Sequence, residues 1–433
     1  MTTFMQQPLA AAPRAAPGWL ADTLRRGQTA WSERRMPTRK TEAWKYNDLR
    51  ALQHSFTPPT AGAPPTLEGI DLPQLAGSRL VFTDGVYCAD SSSLALPEGV
   101  QLVRFADADA EEAAAIVARL GTAVNHGRHV FAPLNDATLA DGVFLRVAAD
   151  TVVDQPVRIV WLTSGRADAL GVTQRLLVDM GTHSQATVVE TFANTETGGV
   201  AFTNGITELL LAEGAHLQHN RLHLEHGRAV HIGGVHALLA ANANLNSFHL
   251  ALGSDLKRID IVVQHEGPGA HSDVNGIYLP RNEEQVDYHT CIEHAVPHCT
   301  SNETFRGIIA DQARAIFNGR IHIHPDAQKT RAQLSNKNLL TSNEAEVNTK
   351  PELEIYADDV QCAHGATVAQ MDATALHYLR TRGVSRAEAE VMLSYGFVNE
   401  LVGAVPCEAV RDYLKPLLAK RFARTPKLAR HLT

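Results

Sequence analysis

Between about residues 143 and 362, short β-branched stretches follow one another closely, and no long amphipathic helix separates them. VFLRVA, VRIVWL, RLLVDM, ATVVETF, GITELLLA, DIVVQH, GIYL, RAIFNGRIHIH and LEIYA are divided by Gly, Asn, Asp and Ser. Alternating βαβ units need a helical crossover between successive strands, so that organisation is excluded and a large all-β structure remains. A sandwich and a stacked solenoid both satisfy the pattern. The length of the run and its small polar turns favour the β-solenoid, although no strict repeat motif emerges to settle it.

The flanks read differently. WLADTLRRGQTAWSERR (19–35) predicts an amphipathic helix with Trp19, Leu20, Leu24 and Trp31 on one side, ending before Met36-Pro37. Pro58, Pro59, Pro64 and Pro65 mark a loop or linker. LVFTDGVY (80–87) predicts a strand with a hairpin turn at Asp84-Gly85, and residues 107–121 a helix closed by Gly121. Beyond the β region, Asp372 caps a helix ending at Gly383, and Ser385 with Glu388 forms a capping box for SRAEAEVMLSYGFVNELV. That helix is apolar around much of its circumference, so it must bury more than one side. Pro406 suits the first turn of a last helix, which Pro416 should bend or interrupt. The division expected is an N-terminal mixed helical domain (1–142), a β core (143–366) and a C-terminal helical domain (367–433).

A net charge of −8 argues against bulk affinity for nucleic acid or anionic lipid. The acid-free basic stretch from Lys415 to Arg430 reads as a solvated helix end and tail. No apolar run approaches the roughly 18 residues a membrane span needs, and the proline-interrupted N-terminus lacks signal-peptide organisation. Five scattered cysteines fit reduced thiols in a cytosol better than a disulfide framework. Phosphate-loop, dinucleotide-turn, zinc-helix, nucleophile-elbow and C-x-x-C patterns are all missing.

Histidine, with 21 copies, is the outlier. His219 and His223 share a strand face but lie roughly 13 Å apart, too far to chelate one ion within that strand. The plain expectation is histidines on solvated or stacked strand faces. His322 and His324 are same-face neighbours roughly 7 Å apart and lack a third ligand. CIEHAVPHC offers Cys291, His294, His298 and Cys299, a mixed set that zinc accepts, although Pro297 and the opposed His298 and Cys299 side chains count against one site. In DDVQCAHGAT (358–367), an extended chain puts Cys362 and His364 on one face about 7 Å apart. One thiol and one imidazole cannot close a tetrahedral site, so the remaining ligands must come from another chain, small thiols or bridging sulfide. This pair points to an interface site, against a buried Cys and a hydrogen-bonded His.

At these residues the chain resembles a known family. ADDVQCAHGATVAQMDATALHYLRTRGV (357–384) is similar to the signature of SufD subunits of the Suf iron–sulfur cluster assembly system. PTRKTEAWKY, LVFTDGVY, HAVPHCTSNETFRG, the long run from ARAIFNGRIHIH to LEIYADD and RAEAEVMLSYGF follow in that family's order, covering the chain almost end to end. The CAHGATV segment separates it from the sister SufB subunits; Ala369, where the family usually has glycine, is one departure.

The resemblance implies a right-handed parallel β-helix between two largely helical end domains. It implies a non-catalytic scaffold that pairs with SufB through the β-helix and docks one SufC ATPase on its C-terminal helices, whose ATP hydrolysis opens the SufB interface. It implies no permanently bound cofactor, but a transient iron–sulfur cluster, or iron and sulfide, at that interface. By position, His364 is the ligand or handling residue and Cys362 its weaker neighbour. Val391, Met392, Tyr395 and Phe397 lie on the ATPase-docking element, and Cys291, Cys299, His322 and His324 are assigned to folding. The cytoplasm is the expected location, and homodimerisation of the isolated chain stays open. Two other readings stand beside it: a purely structural bridge without a ligand role for His364, and a metal-dependent enzyme on a β scaffold using His219, His223 or CIEHAVPHC.

Overall fold

The computed structural model describes residues 16–53, 56–57, 70, 72–73, 75–164, 169–195 and 199–423. The proline cluster at 58–65 and the basic residues Arg424, Lys427 and Arg430 lie outside them. The described strands begin with β1 (Arg79–Thr83), β2 (Val86–Tyr87), β3 (Val100–Arg104), β4 (Val143–Val147), β5 (Val157–Thr163), β6 (Leu170–Met180) and β7 (Gln185–Asn194). They continue with β8 (Ala201–Leu211), β9 (His216–His223), β10 (Ala229–Leu239), β11 (Asn244–Leu252), β12 (Leu256–His265) and β13 (His271–Leu279). The last are β14 (Gln285–His294), β15 (Thr300–Ile309), β16 (Arg314–Ile323), β17 (Arg331–Leu340), β18 (Glu346–Ile355) and β19 (Gln361–Gln370).

From β4 onward each strand pairs in parallel with the strand two places along the chain. Even-numbered strands therefore build one sheet and odd-numbered strands the other, and the chain winds as a β-solenoid with two strands per turn. Val230 lies beside Leu256 and Val143 beside Leu176, so one turn takes from 26 to 33 residues. β1 and β2 extend the odd sheet, joined by the expected hairpin; Asp84 (φ 53°) and Gly85 (φ 76°) both take the left-handed conformation that a two-residue hairpin turn demands.

At one corner of the solenoid a single residue per turn adopts positive φ: Asp150, His183, Gly214, Asn242, Gly269, His298 and Lys329. The amide of Asp150 donates to Thr182, His183 to Glu213, Gly214 to Ala241, Asn242 to Pro268, His298 to Gln328 and Lys329 to Asp359. The corner thus continues the ladder, and these backbone donors are satisfied by the next turn.

Hydrophobic burial follows the period-two alternation. Inward positions such as Leu145, Val178, Leu209, Ala237, Ile261 and Phe317 form one continuous core along the axis. The outer face of the even sheet is covered by N-terminal segments, where Trp31, Trp44 and Phe131 meet Phe202, Ile232 and Leu256. The expected N-terminal helix is α1 (Ala21–Ser32), and α2 (Ala110–Arg119) carries a capping box from Asp109 and Glu112. A short α3 (Ala132–Thr138) packs beside α1.

The C-terminal helices are α4 (Ala373–Thr381), α5 (Arg386–Gly403) and α6 (Glu408–Phe422). Asp372 caps α4, and Ser385 with Glu388 closes a capping box on α5, as the spacing predicts. α5 does bury two sides: Val398, Leu401 and Val402 join Val410, Leu414 and Leu418 of α6 and the outer odd-sheet residues Leu250, Ile277 and Ile308. The position of Pro406 changes, and Pro416 does not interrupt its helix. Pro406 precedes the Cys407 N-cap instead of entering the first turn, and α6 runs on through Pro416. Packing of Leu414 and Leu418 on either side of that proline holds the helix together.

The core is not uniformly apolar. His219 and His223 are buried inside the coil, not solvated, because their strand alternates, with Leu222 and Leu224 turned outward toward the C-terminal helices. His219 Nδ1 lies 3.0 Å from Ser247 Oγ and its Nε2 3.0 Å from Glu190 Oε2. Burial alone would raise Glu190; Arg221, His219 and Thr207 outweigh it and hold the carboxyl at about 2.

Candidate functional site: the open end of the solenoid

β18 and β19 are the outermost strands of their sheets: β18 pairs only with β16 and β19 only with β17 among the described residues. One side of each backbone is therefore an unpaired edge, which soluble proteins normally cover or blunt. β19 lies in register with β17 so that Cys362 stands beside Ala332 and His364 beside Leu334, both of which face the solenoid interior. Cys362 and His364 consequently occupy the inward face of the last turn. No further turn covers them among the described residues: Cys362 is half-buried against the core, while His364 is exposed. Partial burial pushes the Cys362 thiol up, so it is a protonated thiol at neutral pH. Ile355, Tyr356 and Val368 also remain exposed on this final turn, leaving large apolar side chains bare at the edge.

The other residues singled out from sequence fall elsewhere. Val391 is buried, Tyr395 and Phe397 pack partly against the helix–sheet core, and Met392 is exposed. The residues of CIEHAVPHC do not converge. Alternation sends Cys291 outward beside Glu293 and Arg320, turns His294 and Cys299 inward, and leaves His298 in the positive-φ corner. His294 and Cys299 instead meet His265, whose Nδ1 lies 3.0 Å from His294 Nδ1. Burial lowers His294 to about 4 and holds His265 well below its ordinary value, so this pair is neutral. His223 meets Glu225 and His231 inside the coil, and His322 and His324 gain a neighbouring carboxylate in Glu293. Glu225 stands two residues from His223 in the sequence, but Glu293 is not apparent from spacing, because it reaches His322 only through the β14–β16 register.

Among the described residues, then, the fold is a parallel solenoid whose last turn carries a thiol and an imidazole on its inward face. The sequence comparisons agree in kind. Residues 16–159 match the model of the SufBD protein N-terminal region, and residues 162–397 match that of the SUF system FeS cluster assembly, SufBD core domain. The chain is 33% identical over 391 residues to the iron–sulfur cluster assembly protein SufD of Escherichia coli, covering 89% of each. It is 27% identical to a SufBD family protein of Synechocystis, over 89% of this chain and 88% of that one. It is also 27% identical to SufD of Bacillus subtilis, over 68% and 67%. The chain belongs to the SufBD family of iron–sulfur cluster assembly proteins. Among the described residues no helix is long and apolar enough to cross a membrane.

Proposed function

We propose that the chain is a non-catalytic scaffold subunit that joins a second solenoid of its own family, a SufB-type partner, through the open end formed by β18 and β19. The observation that carries this is the last turn itself. Solenoids need capped ends for solubility, and here, among the described residues, inward-facing positions and two strand edges are left bare where Cys362 and His364 stand. Strand addition at both edges would continue the ladders and bury those residues at a joint. His364 then contributes an imidazole, and Cys362 a thiol, to a transient iron–sulfur cluster or to iron and sulfide passing through the joint. Other ligands come from the partner, since two donors do not close a site.

The coil is proposed to wind right-handed, following the strong preference of parallel crossovers. The C-terminal helices are the proposed dock for a SufC-type ATPase, with Met392 on the exposed side of α5 and the nucleotide site on the other chain. The chain acts in the cytoplasm and keeps no cofactor of its own. The test is co-expression with SufB- and SufC-type partners, comparing wild type with His364→Ala for complex formation and for bound iron and sulfide. Retained complex with cluster lost supports the handling role. Equal cluster in both makes the chain a structural bridge, and failure to bind either partner overturns the proposal.

A further inference from the structure

The outer face of the even sheet carries a second group of donors, away from the solenoid's open end. Along β16 the core takes Ile321 and Ile323, which leaves Arg320, His322 and the adjoining His324 on the outside. The next strand, β14, places Glu293 in register with His322. Donor atoms of Glu293, His322 and His324 all lie within 4.8 Å of one another, and the two imidazole rings stack at 4.4 Å. Two ring nitrogens, His322 Nδ1 and His324 Nε2, are shielded from water and have no hydrogen-bond partner. Leaving such groups unpaired is costly, so a shared occupant would relieve both.

We propose that Glu293, His322 and His324 bind one divalent first-row transition ion of the iron-to-zinc series. Two imidazoles and a carboxylate suit such ions and leave at least one coordination position open. A tetrahedral ion with bonds of about 2.0–2.1 Å holds its donors roughly 3.3 Å apart, so the donors, now within 4.8 Å of one another, close on it by side-chain movement of roughly one ångström. His322 is held below its ordinary value by burial and by His324, which keeps the ring neutral and able to ligate. Nearby Cys291 is not among the donors that all lie within 4.8 Å of one another; its sulfur sits 3.9 Å from Glu293 and from Arg320. The guanidinium of Arg320 is already engaged by Glu354, at 2.6 and 2.9 Å. Arg128 is the competitor: it holds a Glu293 oxygen from an exposed position, so metal binding must share or displace it.

The experiment titrates the metal-free full chain with Co(II) as the probe, under anaerobic conditions, followed by competition with Zn(II). One Co(II) per chain is expected, with visible d–d bands. The Kd should weaken at least about 100-fold in His322→Ala and in His324→Ala, because losing an inner ligand exceeds the roughly 10–100-fold loss of an outer partner. His216→Ala, which removes an exposed imidazole from the other sheet, should bind Co(II) as wild type does, which separates this site from surface histidines in general. Arg128→Ala should bind more tightly, as the carboxylate loses its competitor. His324→Gln, which preserves a neutral polar side chain, guards against misfolding and should still weaken binding. Absence of saturable binding, or equal uptake by the His322→Ala/His324→Ala double variant with native circular dichroism, overturns the proposal.

Discussion

Replacing Glu303 by glutamine should stabilise the protein at alkaline pH and do progressively less as the pH falls. Glu303 sits on the inward face of β15, in register with Val274 and Leu334, and is 1% exposed. Neither carboxyl oxygen has a hydrogen-bond partner of normal geometry, and Thr290 offers only weak relief. Burial therefore raises the group from 4.5 to about 8. In the folded chain it keeps a proton that the unfolded chain releases above its ordinary value. The unfolded state thus binds fewer protons across that window, and stability falls as pH rises from 4.5 to about 8, then levels off. At about 1.36 kcal/mol per unit, the interval amounts to about 5 kcal/mol of pH-dependent destabilisation. Glutamine keeps the shape and cannot ionise, so it removes the dependence. Unfolding entropy of about 2.1 cal/mol/K per residue then converts that energy into a Tm gain of about 5 °C. The assay is thermal unfolding of both proteins at about pH 5 and about pH 9, at one scan rate. The gap in Tm should widen toward the alkaline end. Parallel curves, with a constant offset at every pH, would show that Glu303 is not protonated in the fold and refute the reasoning.

Two further perturbations test the packing. Arg175 is fully buried and bridges Glu208 at 2.7 Å and Asp136 at 3.0 Å, joining the even sheet to α3. Arg175→Met leaves buried Glu208 without its cation and Asp136 with His126 alone, and should destabilise by about 3–5 kcal/mol, read from denaturant midpoints of the tryptophan signal; a loss below about 1 kcal/mol would show that the charges are relieved elsewhere. A Cβ at Gly233 would lie 2.0 Å from the carbonyl oxygen of Gly205, so Gly233→Ala must push β10 from β8. Faster amide exchange in those strands is expected, whereas Gly365→Ala, with nothing within 4 Å, should exchange like wild type.

Local chemistry is readable in the sequence. The Asp84-Gly85 hairpin and the caps at Asp372 and Ser385 appear where their residues demand them, because each depends on neighbours within a few positions. The all-β middle follows from strand spacing, and the pairing of Cys362 with His364 on one face follows from strand alternation. The turn-to-turn repeat does not, although it is present in the backbone. Its positive-φ corner is filled by Asp, His, Gly, Asn, Gly, His and Lys, so no residue type marks it. The burial of His219 and His223 is hidden for a related reason. A lone imidazole reads as polar until its partners, Glu190 and Ser247 for His219, are known.

From sequence alone come the strand and helix zones, the caps and the residue types at the final turn. Folding adds the register, which sets Glu293 against His322 and turns Cys362 and His364 inward on an end that no other described turn covers. The physical reason is that the sheets are joined by backbone hydrogen bonds between residues 26 to 33 positions apart. Those bonds are the same for every side chain. Which turn lies beside which, and which turn is last, is therefore settled by burial summed over the whole coil, not by any local signal.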